Sequence, residues 1–173
     1  MTFRAIDPND LNLNPFTGIG KQWMLVTAAK PDGSVNAMTA AWGGLGFIWQ
    51  QPVAFVFIRP QRCTKTFVEA SPTFSLSFFA SEYRDALSFM GNVSGFDDPL
   101  KVEHSGLTLA YDPDDPLATP YFAEAHTVLI VERLYEQDMA GALFIDQTQV
   151  ERWYPQADFH TLYIAGIKKV LVA

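Results

Sequence analysis

The chain has 173 residues, the size of one domain, and 49% of them are hydrophobic, which is enough for a self-sufficient core. Its formal net charge of −7 disfavours nucleic acid as a partner, because contacts with a phosphate backbone need a basic surface. The single cysteine, Cys63, excludes an internal disulfide and a multi-cysteine metal site, and no apolar run is long enough to span a membrane.

The first predicted elements form a β-hairpin. No charged, apolar leader opens the chain, so we expect a cytoplasmic protein whose residues 1–20 are a loose lead-in. Met24–Ala29 and Val35–Ala41 are apolar runs on either side of the turn signal Lys30–Ser34, which predicts two paired strands. The small residues of Trp42–Gly46 then predict a loop.

A basic loop follows the third predicted strand, Val53–Ile58, and contains Arg59, Arg62, Thr64 and Lys65. Arginine offers paired planar donors, and threonine adds neutral donors. A helix that begins near Thr64 would also point free backbone N–H groups at the same place. The loop therefore suggests a phosphate site. The alternative is that its basic side chains are solvated or paired with carboxylates elsewhere.

The remainder of the chain predicts short strands with a few helices. Phe74, Leu76 and Phe78 alternate with small polar residues, which indicates a strand. Glu82–Met90 has helical periodicity, with Ser81 as its cap and Gly91 at its end. Further predicted elements are strands at Leu107–Tyr111, Ala125–Leu134, Ala142–Ile145 and Thr161–Val172, with a bulge at Gly166, and helical turns at Asp98–Glu103 and Gln147–Trp153. This pattern is typical of an antiparallel barrel with peripheral helices.

Five segments follow one another in a specific order: Asn36–Gly44, Gln51–Pro60, Arg62 with Thr64, Phe74–Phe79 and Gly91–Gly95. In this order and spacing they resemble the flavin reductase-like family, and the likeness runs from about Gly20 to Gly166. The resemblance implies a mainly β fold, an antiparallel FMN-binding split barrel of Greek-key type with a few peripheral helices. It also implies that residues 1–173 form a single domain of this kind.

The resemblance implies FMN as the cofactor, and a flavin needs binding and orientation from its protein rather than a nucleophile. Carried over by position, the cofactor-binding residues are Thr39, Ala40, Trp42, Arg59, Arg62, Thr64, Lys65, Ser77 and Phe78. The residues alone leave two alternatives open. The small side chains of the hairpin also suit tight packing on a neighbouring strand. Ser75 and Ser77 also suit a solvated strand face.

One histidine is the candidate catalytic residue. Several reductases of the family carry Gly-Asp-His before the last strand, with the histidine near the nicotinamide. Here Asp158 and His160 are separated by Phe159, and the glycine is absent. The resemblance names His160 for the nicotinamide side, and a structural hydrogen bond within its loop is the alternative. The three histidines do not cluster with carboxylates at ligand spacing, so no metal site is expected.

The implied function is that of an NAD(P)H:flavin oxidoreductase, which passes hydride from NADH or NADPH to flavin and on to an unknown acceptor. The resemblance and the aromatic content of 14% also favour a homodimer. One rival is a flavoredoxin-like carrier that binds FMN, exchanges electrons with a protein partner and does not use NAD(P)H. Another is a split barrel that binds a different ligand, such as haem. Cys63 is interpreted as a half-buried filler, with redox activity beside a flavin as the alternative.

Overall fold

Ten strands carry the fold in residues 2–173, which a computed structural model describes. They are β1 (Arg4–Ile6), β2 (Met24–Ala29), β3 (Val35–Ala40), β4 (Gly43–Ile48), β5 (Gln51–Ile58), β6 (Thr73–Phe78), β7 (Leu109–Ala110), β8 (Tyr121–Phe122), β9 (Thr127–Asp138) and β10 (Thr161–Val172). The helices are α1 (Pro15–Thr17), which a π-turn at Gly18–Gln22 continues, α2 (Cys63–Ala70), α3 (Arg84–Asn92), α4 (Lys101–His104) and α5 (Thr148–Trp153). Short 3₁₀ turns lie at Pro8–Asp10, Ser81–Tyr83 and Gly141–Leu143.

Eight of the strands form one antiparallel sheet in the order β3-β2-β6-β9-β10-β5-β4, with β1 paired to the C-terminal end of β10. The long strand β10 joins the two halves, because it pairs with β9 along its length and with β5 through Thr161–Gly166. A separate two-stranded ribbon consists of β7 and β8. The predicted mainly β, antiparallel fold class is confirmed.

The sheet encloses one apolar core and covers a second with its outer face. Phe74, Phe78 and Tyr163 lie in the first core. Leu25 of β2 and Leu87 of α3 lie in the second. Burying each such side chain stabilises the fold by about 1.5–3 kcal/mol. All six residues of β6 are buried, so the solvated-face alternative for its serines is wrong.

The predicted loop at Trp42–Gly46 is wrong, since Gly43–Ile48 is the edge strand β4. Its glycines leave room for the neighbouring strand β5. A Cβ at Gly43 would stand 2.6 Å from the Phe55 carbonyl oxygen, and one at Gly46 would stand 2.9 Å from the Phe55 ring. A strand built on glycine lacks the β-branched residues by which strands are recognised in a sequence.

The predicted strand at Ala142–Ile145 is also wrong. The segment forms a 3₁₀ turn, Ile145 is fully exposed, and Phe144 packs against Tyr154 and Phe159 with ring centroids 5.7 Å and 5.9 Å apart. Aromatic contacts within the long connection between β9 and β10 therefore hold this segment in place without pairing to another strand.

Other boundaries differ in smaller ways. The lead-in is ordered within residues 4–6, because β1 pairs with β10. Helix α3 continues through Gly91 to Asn92, and the Ser81 side chain makes no capping hydrogen bond. The strand predicted at Leu107–Tyr111 is only two residues long. The register shifts of β10 flank Gly166, at Ile164/Ala165 and Ile167/Lys169, and Gly166 itself stays paired with β5 and β9.

No helix within residues 2–173 has both the length and the apolar character that crossing a membrane requires.

Candidate functional site

A crevice of about 240 Å³ opens where β3 and β5 end and the chain enters β10. Its floor is Met38–Trp42, and its walls are Phe57, Arg59, Arg62, Trp153 and His160. Ala40 and Ala41 leave the backbone of the floor within reach of a ligand, and a flat ring suits such a surface.

A second cavity of about 150 Å³ adjoins the first, and Arg62 lines both. Its other walls are the N-terminus of α2 with Cys63 and Thr64, the segment Asn92–Gly95, and Lys101. Free backbone N–H groups at a helix N-terminus favour anions. We call this cavity the cation end of the crevice and the larger one the aromatic end.

Two cations are fixed at the cation end by the C-terminus of α3. Arg62 Nη1 donates to the Gly91 carbonyl at 2.7 Å, and Lys101 Nζ donates to the carbonyls of Met90 at 3.0 Å and Val93 at 2.7 Å. The oxygen-rich end of a helix attracts cations, which explains this arrangement. Lys101 is only 1% exposed, so its charge is held inside the protein.

These cations have no carboxylate partner. Neither Arg62 nor Lys101 forms an ion pair in the part of the chain that the structure describes. Burial, followed by the charge of Arg62, lowers the pKa of Lys101 to about 8, and Asp98 acts in the opposite direction. Burial also lowers the pKa of Arg62. A buried and a half-buried cation placed side by side are costly unless an anion balances them, so the arrangement suits an anionic ligand.

Arg59 is engaged elsewhere, as the alternative interpretation of the basic loop expected. Its guanidinium forms an ion pair with Asp158 and donates to the Trp153 carbonyl at 2.8 Å. Gln61 Nε2 also donates to Asp158, at 2.8 Å, and these two donors hold the pKa of that carboxyl below its usual value. Arg59 therefore tethers the connection between β9 and β10 to the barrel.

Aromatic rings surround the other end. Trp42 meets Trp153 edge to face with centroids 5.2 Å apart, and His160 lies 5.0 Å from Trp42. Burial, and then the charge of Arg59, lowers the pKa of His160 to about 4, so the imidazole is neutral at pH 7. Its Nδ1 lies 2.8 Å from the Tyr154 hydroxyl.

The structure brings most of the predicted site residues together. Thr39, Ala40, Trp42, Arg59, Arg62 and His160 line the aromatic end, and Thr64 lines the cation end beside Arg62. Thr64 Oγ1 donates internally to Asn36 Oδ1 at 2.7 Å.

Three predicted residues lie apart from both cavities. Lys65 forms an ion pair with Glu69 on the next turn of α2. Ser77 is fully buried between its strand neighbours on β2 and β9, and its hydroxyl makes no hydrogen bond. Phe78 belongs to the first core. Ion pairing and core packing explain these placements.

Sequence reasoning missed Lys101, Trp153 and Tyr154. Lys101 occurs in a polar stretch without a motif, and only the fold brings it beside Arg62. The aromatic pair Trp153-Tyr154 at the end of a predicted helical turn was the one available signal. Cys63 is buried, and burial raises the pKa of its thiol, which fits a packing role. Residues 2–173 contain no group of three or more His, Cys, Asp or Glu side chains placed to hold a metal ion.

No family model matches the sequence. An uncharacterized protein of Aeropyrum pernix is 30% identical over 113 residues, which is 62% of this chain. The matched region is 40% of that relative, so the chain spans about two fifths of its length.

Solved structures resemble the fold closely. An FMN-binding domain of a flavin reductases-like enzyme from Shewanella baltica has a TM-score of 0.70 at 18% identity, covering 99% of this chain and 77% of that one. Flavoredoxin of Desulfovibrio vulgaris has a TM-score of 0.66 at 22% identity, covering 87% and 69%. An NADH:FAD oxidoreductase of Streptomyces globisporus, in complex with NAD and FAD fragments, has a TM-score of 0.62 at 14% identity, covering 88% and 74%. These likenesses establish a shared fold.

Proposed function

We propose that this chain, which has the FMN-binding split-barrel fold of the flavin reductase-like proteins, binds FMN in its two-ended crevice and reduces it with NADH or NADPH. The observation that carries the proposal is a pair of cations, the half-buried Arg62 and the buried Lys101, which adjoin a crevice with aromatic walls. Neither forms an ion pair within residues 2–173. FMN combines a phosphate with a flat ring, so its two chemical parts match the two ends.

At the cation end, the residues present fit a phosphate. Arg62 and Lys101 supply charge, and Thr64 lies at the start of α2, where backbone N–H groups are free. Asn92 and Ser94 add neutral polar groups to the same wall. A phosphate there would balance two charges that form no ion pair in the described part of the chain.

At the aromatic end, the residues fit a flat ring. The backbone of Thr39–Trp42 offers hydrogen-bonding groups without bulky side chains at Ala40 and Ala41. Trp42 and His160 supply flat faces beside it. Bound FMN would supply the redox chemistry, accepting hydride from a nicotinamide and passing electrons to an acceptor. The protein would hold the reactants in position, with the uncharged imidazole of His160 in the wall of the aromatic end.

An electron carrier is the second candidate function, favoured by the similarity to flavoredoxin. A carrier needs the flavin site but no nicotinamide site. The presence of His160 in the wall of the aromatic end, where a nicotinamide could bind beside the flavin ring, supports the enzyme.

We also propose a homodimer. The side chains of Phe47, Trp49, Leu143 and Ile145 are all more than half exposed, which is apolar surface that a second copy could cover. Sedimentation equilibrium at micromolar concentration should give twice the chain mass of 19.3 kDa. A monomer with flavin bound would contradict this.

The function is tested in two steps on the purified full chain. A visible flavin spectrum after incubation with FMN and gel filtration would support the site, and its absence would favour a barrel with another ligand. Steady consumption of NADH or NADPH by the FMN-loaded protein would then identify an enzyme. A loaded protein that is inert toward both would be a carrier.

A further inference from the structure

Tyr154 and His160 form a buried pair behind the aromatic end. Their side chains make a hydrogen bond of 2.8 Å between Tyr154 Oη and His160 Nδ1, and the rings stand nearly perpendicular, with centroids 5.5 Å apart. Tyr154 is 6% exposed and His160 7%. The Met139 backbone N–H donates to the His160 carbonyl at 2.9 Å, so the imidazole is fixed from its backbone as well.

The direction of this hydrogen bond follows from its surroundings. Burial raises the pKa of Tyr154, so the hydroxyl keeps its proton at neutral pH. Its two possible acceptors are His160 Nδ1 and Met139 Sδ, the latter at 3.9 Å. A thioether is a weak acceptor, so the proton goes to Nδ1. A neutral imidazole that accepts at Nδ1 carries its own proton on Nε2.

The charge state supports the same assignment. Arg59 and Asp158 are the charged groups that act on His160, in opposite directions, and burial is the largest cause of its lowered pKa. Arg59 also lies over the Tyr154 ring, with its guanidinium 5.2 Å from the ring centroid. The positive charge of Arg59 therefore favours the neutral form of the His160 ring.

The second ring nitrogen, Nε2, is not engaged by the protein's side chains or backbone within residues 2–173. Among the side-chain contacts of residues 2–173, Nε2 of His160 has no hydrogen-bond partner, and it is not one of the fully buried orphan atoms. His160 lines the aromatic end beside Trp42 and Phe57. Its free N–H is therefore available to a ligand.

We propose that Tyr154 is a positioning residue that fixes His160 as the Nε2–H tautomer and directs this N–H into the crevice, to donate to a carboxamide oxygen beside a flat ring. The identification of that oxygen with the nicotinamide rests on the proposed function, and the tautomer does not. A neutral donor is suited to an uncharged amide, whereas a charged imidazolium would also attract the phosphate of FMN.

The tautomer is tested by ¹⁵N NMR of the histidine-labelled full chain, with His160 assigned from a His160→Gln variant. The wild type should show a neutral ring with its proton on Nε2 from pH 6 to 8. Tyr154→Phe should give a mixture of tautomers, and Tyr111→Phe, at an exposed tyrosine, should leave the signal unchanged. A proton on Nδ1 or a charged ring in the wild type would overturn the proposal, whether or not Tyr154→Phe folds.

Kinetics test the consequence. In the FMN-loaded protein, Tyr154→Phe should raise the KM for the nicotinamide roughly three- to tenfold, the worth of one hydrogen bond, with kcat within about twofold. His160→Gln, whose amide reaches the Nε2 position, should retain more affinity than His160→Ala. An unchanged KM in Tyr154→Phe would overturn the role in substrate binding. If the wild type binds no flavin, the proposed function fails and the NMR result still decides the tautomer.

Discussion

The two ends of the crevice are held in place by different means. At the cation end, Arg62 and Lys101 are fixed by backbone carbonyls of α3 and its C-terminal loop. At the aromatic end, Trp153 and His160 come from the connection between β9 and β10, which Arg59 ties to the barrel. Backbone carbonyls keep their places in the fold, whereas a side-chain tether depends on one residue. We therefore expect changes at the cation end to act mainly on the affinity for FMN. Changes at the aromatic end should act mainly on the KM for NADH or NADPH.

The largest effect expected is from Arg62→Ala. Loss of charge-assisted hydrogen bonds should weaken FMN binding by about 1.5–3 kcal/mol. Lys65→Ala is the matched control, because Lys65 is paired with Glu69 outside the crevice, and exposed pairs are worth about 0–1 kcal/mol. Both variants should be titrated with FMN and riboflavin. Equal losses for the two flavins in Arg62→Ala would place the arginine away from the phosphate.

Gly95→Ala tests how tightly the cation end is packed. A Cβ there would stand 2.3 Å from Asn36 Nδ2 and 3.0 Å from Cys63 Sγ. The clash should cost about 1–3 kcal/mol of unfolding free energy, as for other overpacked sites. Gly20→Ala is the control, since nothing lies within 4 Å of its added Cβ. Chemical denaturation of both variants measures this cost. Equal stabilities would show that Asn36 and Cys63 can move to accommodate the added methyl group.

The pH dependence of FMN binding should report on Lys101, whose pKa is lowered to about 8. A phosphate favours the charged amine, so FMN affinity should fall by about tenfold as the pH rises from 7 to 9.5, and riboflavin affinity should not. The stability of the flavin-free protein should change with pH in the opposite direction. The charged lysine costs stability below pH 8, and this cost fades as the pH rises from there toward 10.5, the ordinary pKa of lysine.

Lys101→Met is the control for this pH dependence. Its FMN affinity should be weaker at pH 7 and should not vary across the same range. A wild-type FMN affinity that is flat from pH 7 to 9.5 would contradict a role for Lys101 at the phosphate.

The smallest effect expected is at the aromatic end. His160→Ala should raise the KM for NADH more than it lowers kcat, because a lost hydrogen bond of about 1 kcal/mol acts on binding. Hydride transfer needs positioned rings rather than a side-chain acid. FMN content must be measured first. A kcat lowered a hundredfold, roughly 2.7 kcal/mol of barrier, with KM and flavin content unchanged would show that the histidine acts in the chemical step.

The sequence predicted those parts of the fold that have local signals. Alternation identified β6, and the apolar runs identified β2, β9 and β10. The glycine-rich β4 has no such signal, because glycines are required where a side chain would meet Phe55 and they carry no strand propensity. The sequence allows a solvated face for Ser75 and Ser77, and their burial depends on neighbours that only the fold supplies.

The candidate site divides in the same way. Arg62 belongs to a recognisable basic loop, so the sequence could point to it. Lys101 could not be identified, because its position depends on where α3 ends. Arg59 and its partner Asp158 are 99 residues apart, so their ion pair is a property of the folded chain. The residue types of the basic loop predicted an anion site. The fold determines that Arg59 and Lys65 form ion pairs while Arg62 and Lys101 line the cavity.

The central claim is that a phosphate binds between Arg62 and Lys101 while a flat ring occupies the aromatic end. Calorimetric titration of the flavin-free wild type with FMN and with riboflavin, at pH 7 and constant ionic strength, tests it most directly. FMN should bind at least about tenfold more tightly, since charge-assisted hydrogen bonds to the phosphate are worth about 1.5–3 kcal/mol. Equal affinities for the two flavins would contradict the account.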